Sequence, residues 1–362
     1  MSVFRKVLNA RLGVTHLCHA EGYNHDVSTE VKSLRKVLAE TIFRSEALAR
    51  MGAASIWGWL PGSEEDSFDE SVSPTWRSEA GAIYLIYVYA EKTAPKAEVK
   101  RRLAERCLQF TRETGKKPGR KLRAEMKEQI EEEILASTIP RVRMTPVIWT
   151  EEEILVFSTT TKTLDSVRKA LLRIGVSSRP RDFKDQIDEV KALDKSLAIP
   201  DNVAVCDVLA RLWRGGAFVF AGRDTLQNQG GGNCSVELAN EVTLAGEEAR
   251  ITVRKDELLK ESKQEIDRAL RSGKKIQRAG VRFCVGELVM EGVLLAPGME
   301  PRGFKFIPGE AGGDLGNEVD AFIVQYGGLM DLIIDLLLAH FTTPEAIEAE
   351  DADLDNDGDC HE

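Results

Sequence analysis

Residues 95–141 read PKAEVKRRLAERCLQFTRETGKKPGRKLRAEMKEQIEEEILASTIPR. Pro95 suits the first turn of a helix, and Val99, Leu103 and Cys107 keep one apolar face through Phe110. TGKKPGRK (114–121) breaks that pattern with two Gly and a Pro. A second periodic stretch, from about Leu122 to Ala136, sets Leu122, Met126, Ile130 and Ile134 on one stripe before Pro140 closes the segment. This predicts a helical hairpin: a projecting arm inserted between segments of different character.

On the N-terminal side, VFRKVLNARL (3–12) reads as a strand, and Ser28–Arg50 as a helix with Val31, Leu34, Val37 and Leu38 on one face. IWGWLPG (56–62) precedes a polar, acidic loop at 63–74. AIYLIYVY (82–89) is apolar on both alternating faces, as a strand covered on both sides requires. Beyond the arm, PVIWT (146–150) and ILVFSTTT (154–161) read as a β-hairpin, followed by a helix with Leu164, Val167, Leu171 and Ile174 inward. Residues 177–202 are polar and Pro-bounded, and read as a domain boundary. The second half is strand-rich: AFVF (217–220), CSVELA (234–239), ARITV (249–253), VRFCV (281–285), ELVMEGVLL (287–295) and GFKFI (303–307). A charged helix at about 256–271 interrupts it, and an apolar helix at 329–341 closes it. The class is α+β with mixed or antiparallel sheets, since no βαβ series announces a parallel nucleotide-binding sheet. The expected division is an N-terminal α+β part (1–95), the arm (96–143), and a hairpin, helix and linker completing the first domain (144–200). A second α+β domain (201–342) and a disordered acidic tail (343–362) follow.

The chain has 362 residues, 43% of them apolar and 30% charged, enough to bury a real core. Its net charge of −10 lies mostly in residues 343–362, which hold nine carboxylates and no Lys or Arg; the remainder carries 49 basic against 50 acidic side chains. The longest clean apolar run, Ile83 to Ala90, has eight residues, far short of a membrane span. Arg5 and Lys6 are not followed by an apolar block, so no secretory signal is expected. Six scattered cysteines without a CxxC pair read as reduced thiols, and the expected location is the cytoplasm.

Catalytic and metal motifs are weak. His16, Cys18, His19 and His25 are zinc-ligand types, but strand alternation puts His16 and Cys18 on the face opposite His19, and no second cluster completes a site. Asp353, Asp355, Asp357, Gly358 and Asp359 follow the start of a calcium loop whose twelfth position falls beyond Glu362. No metal or cofactor is therefore expected. GxSxG and GxxxxGK[ST] are absent. Acid-x-Lys triplets at Glu98/Lys100, Glu125/Lys127, Glu189/Lys191 and Glu261/Lys263 could serve a metal-dependent nuclease, but they arise freely in so charged a chain. A non-catalytic protein is the expectation, with the nuclease and a protein-interaction module using a DNA-mimicking tail as alternatives.

Charge segregation is more telling. Residues 96–127 hold twelve basic residues against four acids, residues 250–282 eleven against five, and residues 162–184 seven against two. A surface that gains by releasing counterions from nucleic acid needs such blocks. The candidate phosphate contacts are Lys116, Lys117, Arg120 and Lys121 in the arm and Lys263, Lys274 and Lys275 in the second block. No base-reading motif accompanies them, so binding would be to the backbone. The acidic tail would compete with nucleic acid for that basic surface.

The order of these segments resembles the bacterial recombination-associated RdgC family. The resemblance rests on VFRKVLNARL, the GWLPG turn, the arm with its Ile139-Pro140-Arg141 exit, and VIWTEEEILVFSTTTKTLDSVRKALLRIG. In the second half it rests on LARLWRGG, VELANEVTL, ITVRKDELLKESKQEIDRALRSGKKI, GFKFI and VDAFIVQYGGLMDLIIDLL. It implies a non-enzymatic homodimeric ring that passes DNA through a positively lined hole, binds duplex and single strands with little sequence preference, acts at the nucleoid, and restrains the recombinase RecA. Arg254 and Lys255 match the family's basic pair; the next position, a polar amide in the family, is Asp256 here. After Arg141 the family carries a phenylalanine finger at the dimer contact. This chain has none, so either Met144 substitutes or that interface is built differently.

Overall fold

The strand at Ile83–Glu91 organises the molecule, because both of its faces are buried. Tyr84, Ile86 and Val88 enter one core cluster and Ile83, Leu85 and Tyr87 another. Its β-branched and aromatic residues fit a pleated surface covered on both sides. The computed structural model describes residues 14–19, 38, 40–43, 55–61, 81–150, 153–197, 199, 204–215, 218–221, 233–246, 250–254, 262–285, 288–296, 298–305 and 315–342. The expected strand at 3–12, most of the expected helix at 28–50, the acidic loop at 63–74, Lys255 and the tail lie outside the described residues. Within that helix, Leu38 is helical and fully buried.

Two antiparallel sheets and seven helices make up the described residues, an α+β protein. The first sheet contains β1 (Thr15–His19), β2 (Ser55–Pro61), β3 (Ile83–Glu91), β4 (Arg141–Trp149), β5 (Glu153–Val156) and β6 (Ser178–Pro180), ordered β2-β3-β4-β5-β1-β6. The arm, helices α1 (Lys96–Thr114) and α2 (Arg120–Ser137), leaves from the end of β3 and returns into the start of β4. Helix α3 (Thr161–Arg173) covers one face of this sheet with Val167, Ala170 and Leu171.

The second sheet runs β12-β11-β10-β8-β7, with β9 also paired to β8. Its strands are β7 (Phe218–Ala221), β8 (Asn233–Ala245), β9 (Arg250–Arg254), β10 (Lys275–Val285), β11 (Leu288–Leu295) and β12 (Glu300–Arg302). The helices of this half are α4 (Phe183–Leu193), α5 (Val205–Gly215), α6 (Lys263–Arg271) and α7 (Leu315–Thr342). Helix α7 packs on α4 and β7. By length and composition α7 could cross a membrane, but 61% of its most apolar window is buried inside the protein.

The structure differs from the sequence reading in four places. GWLPG is no turn, since its first four residues lie in β2, whose Trp59 is fully buried. The polar stretch at 177–202 holds β6, paired with β1, and α4, which buries Ile187 and Val190. The two halves accordingly share one core, in which Phe157 of the first lies 5.1 Å from Phe322 of the second, ring centre to ring centre. Around LARLW the chain forms α5, with Val205, Val208, Leu209 and Leu212 buried. GFKFI is not a strand in its described part: β12 ends at Arg302, and Phe304 instead lies against Gly292 of β11, where any Cβ would strike its ring.

Acid stability follows from two half-buried contacts. Burial and the Arg211 guanidinium push the His340 imidazole down to about 4. Arg211 also donates to the His340 carbonyl at 2.6 Å. As pH falls from about 6.5 to about 4, the unfolded chain takes up a proton the folded chain refuses, so stability is lost through that window and no further below it. Arg179 holds Asp185 down to about 2, so this pair's contribution, present above about 3.8, is lost as pH falls toward 2. Between about pH 7 and pH 5 only the histidine acts, at roughly 2 kcal/mol. Denaturant unfolding at both pH values should show that difference shrink in His340→Gln; an unchanged difference would remove the assignment.

Candidate nucleic-acid interface

The arm is held by a small core of its own, in which Val99 and Leu103 of α1 meet Met126, Ile130 and Ile134 of α2. Its charges divide along its length. Near the root, Arg101 reaches Glu98 at 2.7 Å and Glu105 at 2.6 Å, and Arg102 reaches Glu98 at 2.7 Å. Those guanidinium hydrogen bonds hold the Glu98 carboxyl down to about 2. Arg106 bridges the helices to Glu133 at 3.0 Å, and Lys127 pairs with Glu131 at 3.4 Å.

The tip is different. Arg112, Lys116, Lys117, Arg120, Lys121 and Arg123 are all exposed, and none has a carboxylate within 4 Å among the described residues. Three of them sit at the start of α2, whose first turn has no acid and whose N-cap, Gly119, offers no side-chain hydrogen bond. Cations there oppose the helix dipole, while the orphan N–H groups remain open. That combination is locally unfavourable until an anion arrives, and both elements then attract it.

A second cationic cluster surrounds α6. Lys263 opens it; Arg268 and Arg271 lie in its last turn, where the helix dipole favours them; Lys274 and Lys275 follow. All but the half-buried Lys274 are exposed. Arg254, at the end of β9, has 75% of its side chain exposed and only a 3.5 Å contact with Glu241. Arg278 and Arg282 belong to the same basic block but are committed elsewhere. Arg278 grips Glu241 at 2.5 Å, and Arg282 spans Glu237 and Glu291 at 2.6 Å each, tying β10 to β8 and β11.

The block at 162–184 is likewise mostly consumed. Arg179 pairs with Asp185, Arg181 with Glu189, Lys162 with Glu91 at 3.6 Å, and Arg168 donates to the Ser178 carbonyl at 3.1 Å. Arg141 and Met144 lie in β4, opposite Glu91 and Val88 of β3. Of β4, only Val147–Trp149 pair with β5, so among the described residues the first half of β4 has no strand on that side. Ile139, Val142 and Met144 are 88%, 38% and 46% exposed there. His16 is bound to Glu153 at 2.6 Å. Among the described residues no three His, Cys, Asp or Glu side chains are placed to hold a metal ion; His25 and the tail aspartates lie outside them.

Sequence reasoning left out Arg112, Arg123, Arg268 and Arg271. For the first two the signal was present: neither has an acid three or four residues away, whereas Arg101 has both Glu98 and Glu105.

A two-sheet α+β body bearing a helical arm with an unpaired cationic tip defines the class. Residues 22–188, from just after β1 through the arm into α4, match the model of the family described as "RdgC: Putative exonuclease, RdgC". That match supports membership of the RdgC family and, in that general sense, a recombination-associated protein. No curated protein matches it.

Proposed function

We propose that the protein grips DNA by its phosphate backbone without reading sequence, acting as a homodimeric ring that limits access of the recombinase RecA to DNA and performs no catalysis itself. The observation that carries this reading is the arm tip, where six cations with no carboxylate partner among the described residues surround the uncapped start of α2. Such contacts are individually weak, and a ring closed by a second copy would hold DNA topologically while each remained so. The cluster around α6, with Arg254, Lys263, Lys274 and Lys275, supplies the second set of phosphate contacts, and Lys255 is assigned to the same set by its place next to Arg254. Arg141 and Met144, beside the exposed first half of β4, are the proposed contact between copies.

The test is equilibrium binding of the purified protein to a labelled duplex across a salt series, with magnesium present and the DNA ends examined afterwards. Sequence-indifferent binding that falls steeply with salt, on intact DNA, is the expected result. Magnesium-dependent shortening of the ends would put the nuclease in its place. Encirclement predicts that complexes on a covalently closed circle survive a salt challenge that empties linear DNA; equal release from both would remove the ring. Deleting residues 343–362 should leave DNA affinity equal or higher, because nine competing carboxylates go with them. Loss of DNA binding on deletion would contradict that.

A further inference from the structure

Beside the arm's root, one face of the first sheet carries a row across three strands: Trp57 of β2 stands opposite Tyr89 of β3, which stands opposite Arg143 of β4. Directly opposed residues in such a row have Cβ atoms about 5 Å apart, so the indole and the phenol stand side by side on that face, the indole ring also lying 6.3 Å from that of Tyr87. Trp57 and Tyr89 pack at the edge of the α3-covered core and are only half-buried. Helix α3 forms one wall, with Lys162, Lys169 and Arg173 all exposed. Their spacing puts them on one stripe. Two of them touch the floor row and its neighbour: Arg173 lies 5.0 Å above the Trp57 ring, and Lys162 reaches Glu91, next along β3 from the row. Arg143, 44% exposed, forms the other wall. Glu91 pairs with both Arg143 and Lys162 and so leaves an excess of positive charge.

We propose that this trough is a binding site for single-stranded DNA, separate from the arm tip, with unpaired bases stacking on Trp57 and Tyr89 and their phosphates on the flanking cations. It rests on the DNA-binding reading above and adds to it a site that discriminates strand state. Aromatic floors between cationic walls suit single strands because every base has a face to stack, whereas in a duplex those faces are already covered. Arg173 over Trp57 is a cation–π contact that a base could share or displace.

Tyr89→Leu and Trp57→Leu keep apolar bulk and remove the stacking surface. Binding of the full chain to a labelled oligothymidylate is expected to weaken roughly 5- to 150-fold for each stacked base lost, while binding to a duplex of the same length is unchanged. Tyr89→Phe should bind as the parent does. Equal losses on both DNAs, or none on the single strand, would overturn the proposal. Should either leucine variant melt early, ultraviolet crosslinking of oligothymidylate to the unaltered chain decides the matter. Crosslinks in the Trp57 and Tyr89 peptides support the site, and crosslinks confined to other peptides overturn it. A chain that binds duplex but fails these tests loses only this site; a chain that binds no DNA loses the parent reading as well.

Discussion

Replacing Lys116, Lys117, Arg120 and Lys121 together by alanine is expected to weaken DNA binding roughly 100- to 1,000-fold near physiological salt. The slope of log affinity against log salt should become shallower by about 3 to 4, because each phosphate contact on duplex DNA contributes about 0.9 to it. The loss should be alike for all sequences, since backbone contacts carry no base information. Stability should not fall with it. These side chains make no ion pair among the described residues, and removing cations from the first turn of α2 relieves a repulsion worth about 0.3–1 kcal/mol apiece. A matched control is Arg101→Ala with Arg106→Ala. Both arginines are engaged by Glu98, Glu105 and Glu133, so their removal should change the salt slope much less. An unaltered slope in the tip variant, or an equal change in the control, would take the arm tip out of the interface.

The second large effect is on the fold that carries the α6 cluster. At the centre of the second sheet, β8 and β10 lose register between Ala279 and Val281. On β8 the irregularity holds Asn240 at φ 64, a left-handed conformation that asparagine tolerates better than most residues. The bulge pushes the Ala239 carbonyl toward β10 and into the space a side chain at position 280 would need. A Cβ on Gly280 would overlap that oxygen and lie 2.9 Å from the Glu241 backbone nitrogen. Both neighbours are main chain, and neither can swing aside. Gly280→Ala should therefore cost more than about 4 kcal/mol in denaturant unfolding, among the largest effects single substitutions produce. It should also loosen Glu241 from Arg278 and Arg254, and with them the end of β9. Gly119→Ala, where a Cβ would meet nothing within 4 Å, is the contrasting case and should change stability little. A Gly280→Ala chain that unfolds within about 1 kcal/mol of the parent would show that the β8–β10 ladder can part without loss.

Much of the candidate interface was legible in residue order because its determinants are local. The arm's seam, Val99 and Leu103 against Met126, Ile130 and Ile134, follows from helical spacing alone. The contrast between Arg101, neutralised by Glu98 and Glu105, and Arg112, which has no carboxylate partner among the described residues, follows from which side chains lie three and four positions away. The double burial of β3 is likewise written in AIYLIYVY, and the family resemblance ordered the rest. What the one-dimensional pattern could not supply was the identity of distant partners. A charge-rich stretch such as 177–202 reads as a linker until Ile187 and Val190 find α7, and the basic run at 162–184 reads as free charge until Glu91 reaches Lys162 across the fold and the turn into α4 folds Asp185 and Glu189 back onto Arg179 and Arg181.

The sequence by itself determined where chains of alternating or helical burial run, and where positive charge lacks a local acid, because both depend on neighbours within one turn or one pleat. Only the tertiary structure decided that the two halves share a core, that Arg278 and Arg282 tie strands together while Lys263 and Lys275 stay exposed, and that Trp57, Tyr89 and Arg143 stand in one row. Each of those depends on strand register and long-range pairing, which place residues side by side that lie dozens of positions apart in the chain.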